Sequence, residues 1–183
     1  MGGGNTSQNY RSTDYERADI ARHASSIGAA GEHITCADLL LNGYRAFQAG
    51  EGLPYDLVVE HRAKLIRVTV KSTLKPRPRP GRPNSADCYQ YQIGQRKRDH
   101  TGKTSARAYT AELVDIVAVV ALDMRWVAYL WIGDCPTILH LEAPHGQARS
   151  SKFGPTTMGL RRFSDLQMGD AITRLMAGWR TDV

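Results

Sequence analysis

Three charged residues, Glu32, Asp56 and Lys71, stand in separate segments of this 183-residue chain, each set among apolar sequence. Glu32 falls in a helical stretch. Asp56 opens the run Tyr55-Asp56-Leu57-Val58-Val59-Glu60, and Lys71 closes the run Leu65-Ile66-Arg67-Val68-Thr69-Val70-Lys71. Both runs are rich in β-branched residues, and the short polar link His61 to Lys64 makes them a hairpin. A hairpin folds back antiparallel, so Asp56 and Lys71 are expected at one end of the sheet. A carboxylate among apolar strand residues is costly unless a cation or base satisfies it. Two carboxylates with backbone oxygens and waters suit an octahedral divalent cation, Mg²⁺ or Mn²⁺, which keeps several waters and also binds phosphate. Such a cation lowers the pKa of a bound water, and a lysine beside it holds that water and offsets charge at phosphorus. Taken singly, each residue reads more simply as a solvated surface charge. Their order and flanking strands join them.

Around these residues the pattern is mixed α/β with one central sheet. Ala30, Ile34, Ala37 and Leu41 form one apolar stripe of a helix over 27–41, stopped by Asn42-Gly43. A separate short helix anchored by Ile20 is expected over 14–26. Tyr44–Gln48 and Tyr89–Ile93 read as strands. Asp115–Ala121 is the continuous apolar run of a strand buried on both faces, with Trp126–Ile132 as its partner. In the hairpin's second strand Ile66, Val68 and Val70 share one face, and Arg67, Thr69 and Lys71 the other. Ser164-Asp165-Leu166-Gln167 reads as a capping box opening a last helix with Leu166, Ile172 and Leu175 on its apolar face. Residues 1–13, with little to bury, are expected to be a disordered tail. The remainder, 14–183, is expected to be one domain, with its core at about 27–132 and a C-terminal extension over 133–183.

The net charge is +6, with 24 Lys and Arg against 18 Asp and Glu. Its distribution matters more than its size. From Arg62 to Arg107 the acids are Asp87 and Asp99 alone. A one-sign block suits phosphate neutralisation. Lys75-Pro76-Arg77-Pro78-Arg79-Pro80-Gly81-Arg82-Pro83 cannot sit in a central strand or a helix, so it is expected as an exposed extended loop. Gly94 to Ser105, with Arg96, Lys97 and Arg98, is expected as a second basic loop. Both are candidate nucleic-acid contacts, as are Ser72 and Thr73 beside the lysine. Tyr89, Tyr91 and Trp126 read as core aromatics ahead of base-stacking groups. The three scattered cysteines do not form a disulfide framework, and no apolar run reaches the ~18 residues of a membrane span. A cytoplasmic protein without membrane contact is the expectation.

The segments Gly31-Glu32, Leu53-Pro54-Tyr55-Asp56 and Val68-Thr69-Val70-Lys71-Ser72-Thr73 together resemble the PD-(D/E)xK nuclease superfamily. The likeness runs over about 27–132 and is nearest the branch that holds group I intron homing endonucleases and archaeal Holliday-junction resolvases. It implies a restriction-endonuclease-like fold and a divalent-metal-dependent DNA endonuclease acting on double-stranded or branched DNA, commonly as a homodimer. It also implies that Glu32, Asp56 and the main-chain carbonyl of Val70 bind metal and that Lys71 is catalytic. Tyr109 and Asp115 resemble residues that precede the long apolar strand in this branch, with a structural role. One position departs: Thr69 stands where a carboxylate or glutamine is usual, which leaves a ligand short. The alternatives are therefore a catalytically weakened or inactive DNA-binding protein on the same fold, and a scaffold whose basic loops bind RNA or protein. Glu60 lies at the far end of its strand, a poor substitute ligand.

Overall fold

The computed structural model describes the backbone of residues 14–79, 86–93, 95–98, 104–107, 109–143 and 161–179, with side chains outside 14–22, 95–98, 104–107 and 179. The expected tail and Arg82 lie outside the described residues. A long helix α1 (Asp14–Leu41) leads into β1 (Arg45–Gln48), β2 (Leu57–His61) and β3 (Lys64–Thr73). Next come β4 (Cys88–Gln92), β5 (Gln95–Arg98), β6 (Thr104–Arg107), β7 (Ile116–Ala121), β8 (Trp126–Trp131) and β9 (Ile138–Glu142). A 3₁₀ turn (Phe163–Asp165) precedes the final helix α2 (Met168–Trp179).

The central sheet has the order β1-β2-β3-β7-β8. It is mixed: β3 and β7 run parallel and their neighbours antiparallel. The β2–β3 hairpin turns on Arg62 and Ala63, both at positive φ, the geometry whose twist matches paired strands. Leu57 pairs with Val68, so the chain just before β2 reaches the level of Thr69. Every residue of β7 is buried, as its uninterrupted apolar run requires. Its alternate residues feed two cores. Ile116, Ala118 and Val120 pack with Val68, Val70, Leu39 of α1 and Ile172 and Leu175 of α2. Val117, Val119 and Ala121 pack beneath Tyr89, Tyr91, Leu139 and Leu141 of the two-stranded β4–β9 ribbon.

Several expectations change. One helix spans 14–41 where two were expected, since nothing in Ser25-Ser26-Ile27-Gly28 stops it and a mid-helix glycine costs only about 1 kcal/mol. Its buried stripe is Gly31, Thr35 and Leu39, while Ala30, Ala37 and Leu41 are exposed. Small residues on the buried side let the helix lie close to β3, and Thr35 Oγ1 donates to the Gly31 carbonyl at 2.8 Å. The second basic loop contains a hairpin, β5–β6, which the sequence hid because its basic and polar residues carry no apolar alternation. The capping box is absent: Ser164 sits in the 3₁₀ turn, its hydroxyl donating to Asp165, and α2 starts at Met168. Buried Phe163 anchors that turn, and half-buried Leu166 packs on the second core, off the helix. Leu139 and Leu141 pack in the second core, and Met168, Ala171, Ile172 and Leu175 in the first. Among the described residues no helix is long and apolar enough to cross a membrane.

Candidate active site

The end of the sheet where β2 begins and β3 continues gathers Glu32, Asp56, Thr69, Lys71 and Tyr109. Asp56 precedes β2, and its N–H still donates to the Val68 carbonyl at 2.9 Å. Among the described residues β3 has no strand partner beyond it on that side, and the Asp56 carboxylate takes the partner's place. Its Oδ2 accepts the Val70 N–H at 2.6 Å and the Thr69 hydroxyl at 2.9 Å. Thr69 is 1% exposed. It is therefore a donor that holds Asp56 in one orientation, at the position where the sequence left a ligand short.

Lys71 lies on the same face of β3. Its Nζ donates to the Tyr109 hydroxyl at 2.9 Å and stands 5.0 Å from that ring's centroid. The segment that follows Tyr109 is held from behind. The Asp115 carboxylate accepts from the Arg67 N–H, Nε and Nη2 at 2.7, 2.9 and 2.8 Å. The guanidinium also donates to the Ala111 and Glu112 carbonyls. This bracket locks the turn that follows Tyr109, and it raises the Arg67 pKa chiefly through the hydrogen bond to Asp115. Asp115 immediately precedes β7, and its carboxylate also clamps β3 to the start of that strand.

Glu32 is delivered by the helix. A Cβ on Gly31 would lie 1.7 Å from Ser72 Oγ and 2.9 Å from its Cβ, so only glycine allows α1 to approach β3 there. Two further bonds fix the helix: Tyr129 donates to Asp38 at 2.6 Å, and Gln48 Nε2 lies 2.8 Å from His33 Nδ1. The Glu32 pKa is raised, first by burial and then by the nearby charge of Asp56, while His33 and Lys71 pull it down. Glu32 and Asp56 thus repel within one electrostatic neighbourhood, an arrangement a cation relieves. The described residues offer two carboxylates and main-chain oxygens there, with no cluster of three His, Cys, Asp or Glu. That set fits a hard cation that keeps most of its waters.

Other expectations separate here. Ser72 turns its hydroxyl against Gly31, with the oxygen shielded from solvent, so it packs under the helix and does not present itself to a phosphate. Thr73 is half-buried, Lys75 and Arg77 are exposed, and Arg79 is half-buried. Arg77 pairs with Cys88 through both main-chain hydrogen bonds, which ties this segment to β4. Arg96, Lys97 and Arg98 lie on β5, with side chains outside the described residues. Glu60 pairs with Arg45 at 3.2 Å, away from the site. Tyr89 and Tyr91 are core residues, Tyr89 donating to Asp123 at 2.9 Å, and Trp126 packs edgewise on Phe163. The functional parts that sequence reading missed are Tyr109 as partner of Lys71, Gly31 as the close-approach point, and the hydroxyl of Thr69 as a donor to Asp56. Only Gly31 had a signal, a glycine in mid-helix beside the glutamate.

Replacing Thr69 with valine removes the hydroxyl and keeps the shape. Asp56 then retains one donor of two, and divalent-cation affinity is expected to fall about 10–100-fold, the range for groups that orient a ligand. Calorimetric titration with Mg²⁺ measures it; equal affinities would show that the hydroxyl does not matter.

The family model described as PD-(D/E)XK endonuclease matches residues 22–148, a span that includes Glu32, Asp56, Lys71 and Tyr109. Among solved structures, a bacterial homing endonuclease, I-Ssp6803I, superposes with a TM-score of 0.57 at 13% identity, covering 87% of this chain and 97% of that one. At that identity the likeness is one of fold. No curated protein matches the chain.

Proposed function

Because the chain belongs to the PD-(D/E)XK endonuclease family, we propose that it hydrolyses phosphodiester bonds in double-stranded or branched DNA with Mg²⁺ or Mn²⁺. The observation that carries this reading is the Asp56 carboxylate, pinned by Thr69 and Val70 and set beside Glu32 and Lys71. Glu32, Asp56 and the Val70 carbonyl would hold the cation, which when bound supplies Lewis acidity at the scissile phosphate. Lys71 acts through its ammonium. One of its three N–H groups goes to Tyr109, leaving two to orient the attacking water and to meet a phosphate oxygen. Asp56 takes part as a carboxylate whose direction is set before substrate arrives. Lys75, Arg77 and the basic residues of β5 neutralise backbone phosphates. Cutting both strands takes two such sites, so a homodimer is the acting form. Thr69 speaks against the non-catalytic alternative, because it supports the aspartate.

The test incubates the protein with supercoiled plasmid, a four-way junction and single-stranded DNA, in Mg²⁺, Mn²⁺ or EDTA, across a pH series. Cleavage is expected with either metal and not in EDTA. In the cation-free protein Glu32 holds its proton more tightly than an ordinary glutamate, through burial and the charge of Asp56, and a cation competes with that proton, so cation binding should tighten as pH rises. The same raised pKa sets a trend in the cation-free protein: the contribution of Glu32 to stability is fully present below the ordinary glutamate pKa and is lost as pH rises through the raised value. Binding without cleavage under every condition would favour the non-catalytic alternative, and failure to bind any DNA would remove both.

A further inference from the structure

We propose that the outer face of the β4–β9 ribbon reads base edges in the DNA major groove beside the cleavage site, with Gln92 and Ile138 together recognising an A·T pair. The inference rests on the nuclease reading above and adds a specificity site to it. In β4, Tyr89 and Tyr91 point into the core, so Gln90 and Gln92 point the other way. Gln92 stands directly opposite Ile138 in the register, on the same face. Ile138 is 42% exposed. Arg77, bridged to Cys88, brings the chain leaving β3 alongside β4, so that Ser72, Thr73, Arg77, Gln90 and Gln92 line one cavity at the end of the catalytic strand. The outer face is half-buried at Gln90 and Gln92, exposed at Ile138 and closed at Cys88, and it meets the end of the catalytic strand at Ser72 and Thr73.

The residue types fit base reading. A two-stranded ribbon enters the major groove; a glutamine amide matches adenine N6 and N7, arginine matches guanine O6 and N7, and an apolar side chain meets the thymine methyl. Gln92 and Ile138 offer amide and apolar group side by side, as the two bases of an A·T pair require. Gln90, two residues along, lies about 7 Å away, close to two base steps of ~3.4 Å each. The Gln92 amide reaches only a long 3.4 Å contact to the Thr137 carbonyl, which a base edge would replace.

The experiment selects duplexes bound by the full chain, in EDTA, from a pool randomised across the site, and then measures affinities. The wild type is expected to enrich an A·T pair, with a second preference two steps away. Gln92→Ala should lose about 5- to 150-fold of discrimination at the A·T position, with binding to random DNA and its salt slope unchanged. Gln90→Arg should move the second preference from adenine to guanine. Replacing the selected thymine with deoxyuracil deletes only the methyl, so it should weaken the wild type and leave Ile138→Ala indifferent. Wild-type binding without any enriched sequence, or unchanged enrichment in Gln92→Ala and Gln90→Arg, overturns this proposal and spares the nuclease reading. Absence of all DNA binding overturns both.

Discussion

Asp56→Asn is expected to lower cleavage by on the order of 10³-fold or more while the protein stays folded and still binds DNA. The asparagine oxygen can accept from the Thr69 hydroxyl and the Val70 N–H as the aspartate does, so the local structure has its hydrogen bonds. What disappears is the negative charge, the chief attraction for a divalent cation and the counterweight to Lys71. Removing a single transition-state donor typically costs 10²–10³-fold, and a direct metal ligand outweighs the groups that merely orient one. With the charge gone, phosphate is repelled less, so DNA affinity without metal should hold or rise. Plasmid nicking, Mg²⁺ titration and a salt series of DNA binding give the three readings together. Full cleavage by the variant would mean that the site has been placed wrongly.

Asp115→Ala is expected to be the most damaging change away from the cation site, by about 2–4 kcal/mol. Asp115 is 4% exposed and accepts three donors from Arg67. Truncation leaves the main-chain N–H of Arg67 without that acceptor and its guanidinium without its counter-charge, the expensive way to break an ion pair. The cost is kept below that of a fully buried pair because the Arg67 side chain remains 30% exposed and retains the Ala111 and Glu112 carbonyls. For a domain of this size it corresponds to a fall of roughly 5–15 °C in melting temperature. A second effect should appear below the melt. The turn held by Arg67 carries Tyr109, so Lys71 loses its fixed partner and kcat should drop with little change in KM. Asp115→Asn, which keeps an acceptor, should sit between the two. Wild-type melting and turnover in Asp115→Ala would show that the bracket does not support the lysine.

Local pattern reached far into this site. The placement of Asp56 and Lys71 at one sheet end followed from two β-branched runs and a short link, because a two-residue side-chain period and an antiparallel turn leave little freedom in register. The buried strand Ile116–Ala121 followed from its unbroken apolar run. Glu32 was legible as a helix residue, yet the stripe chosen for that helix was rotated. The apolar count favoured Ala30 and Leu41, whereas close approach to β3 selected Gly31 and Thr35. Burial by small residues is weak in hydrophobicity and strong in geometry, so periodicity does not register it.

The sequence by itself determined the hairpin, the two carboxylates and the lysine, since each depends on neighbours within a strand or a turn, where spacing dictates direction. The tertiary structure decided what those residues touch. Thr69 looked like a missing ligand, and only the start of β2 opposite β3 turned its hydroxyl into a donor for Asp56. Tyr109 meets Lys71 from 38 positions away, and Asp115 meets Arg67 across 48. Such contacts arise when the parallel pairing of β3 with β7 closes a long excursion, and no local period records which residues lie at the ends of that closure.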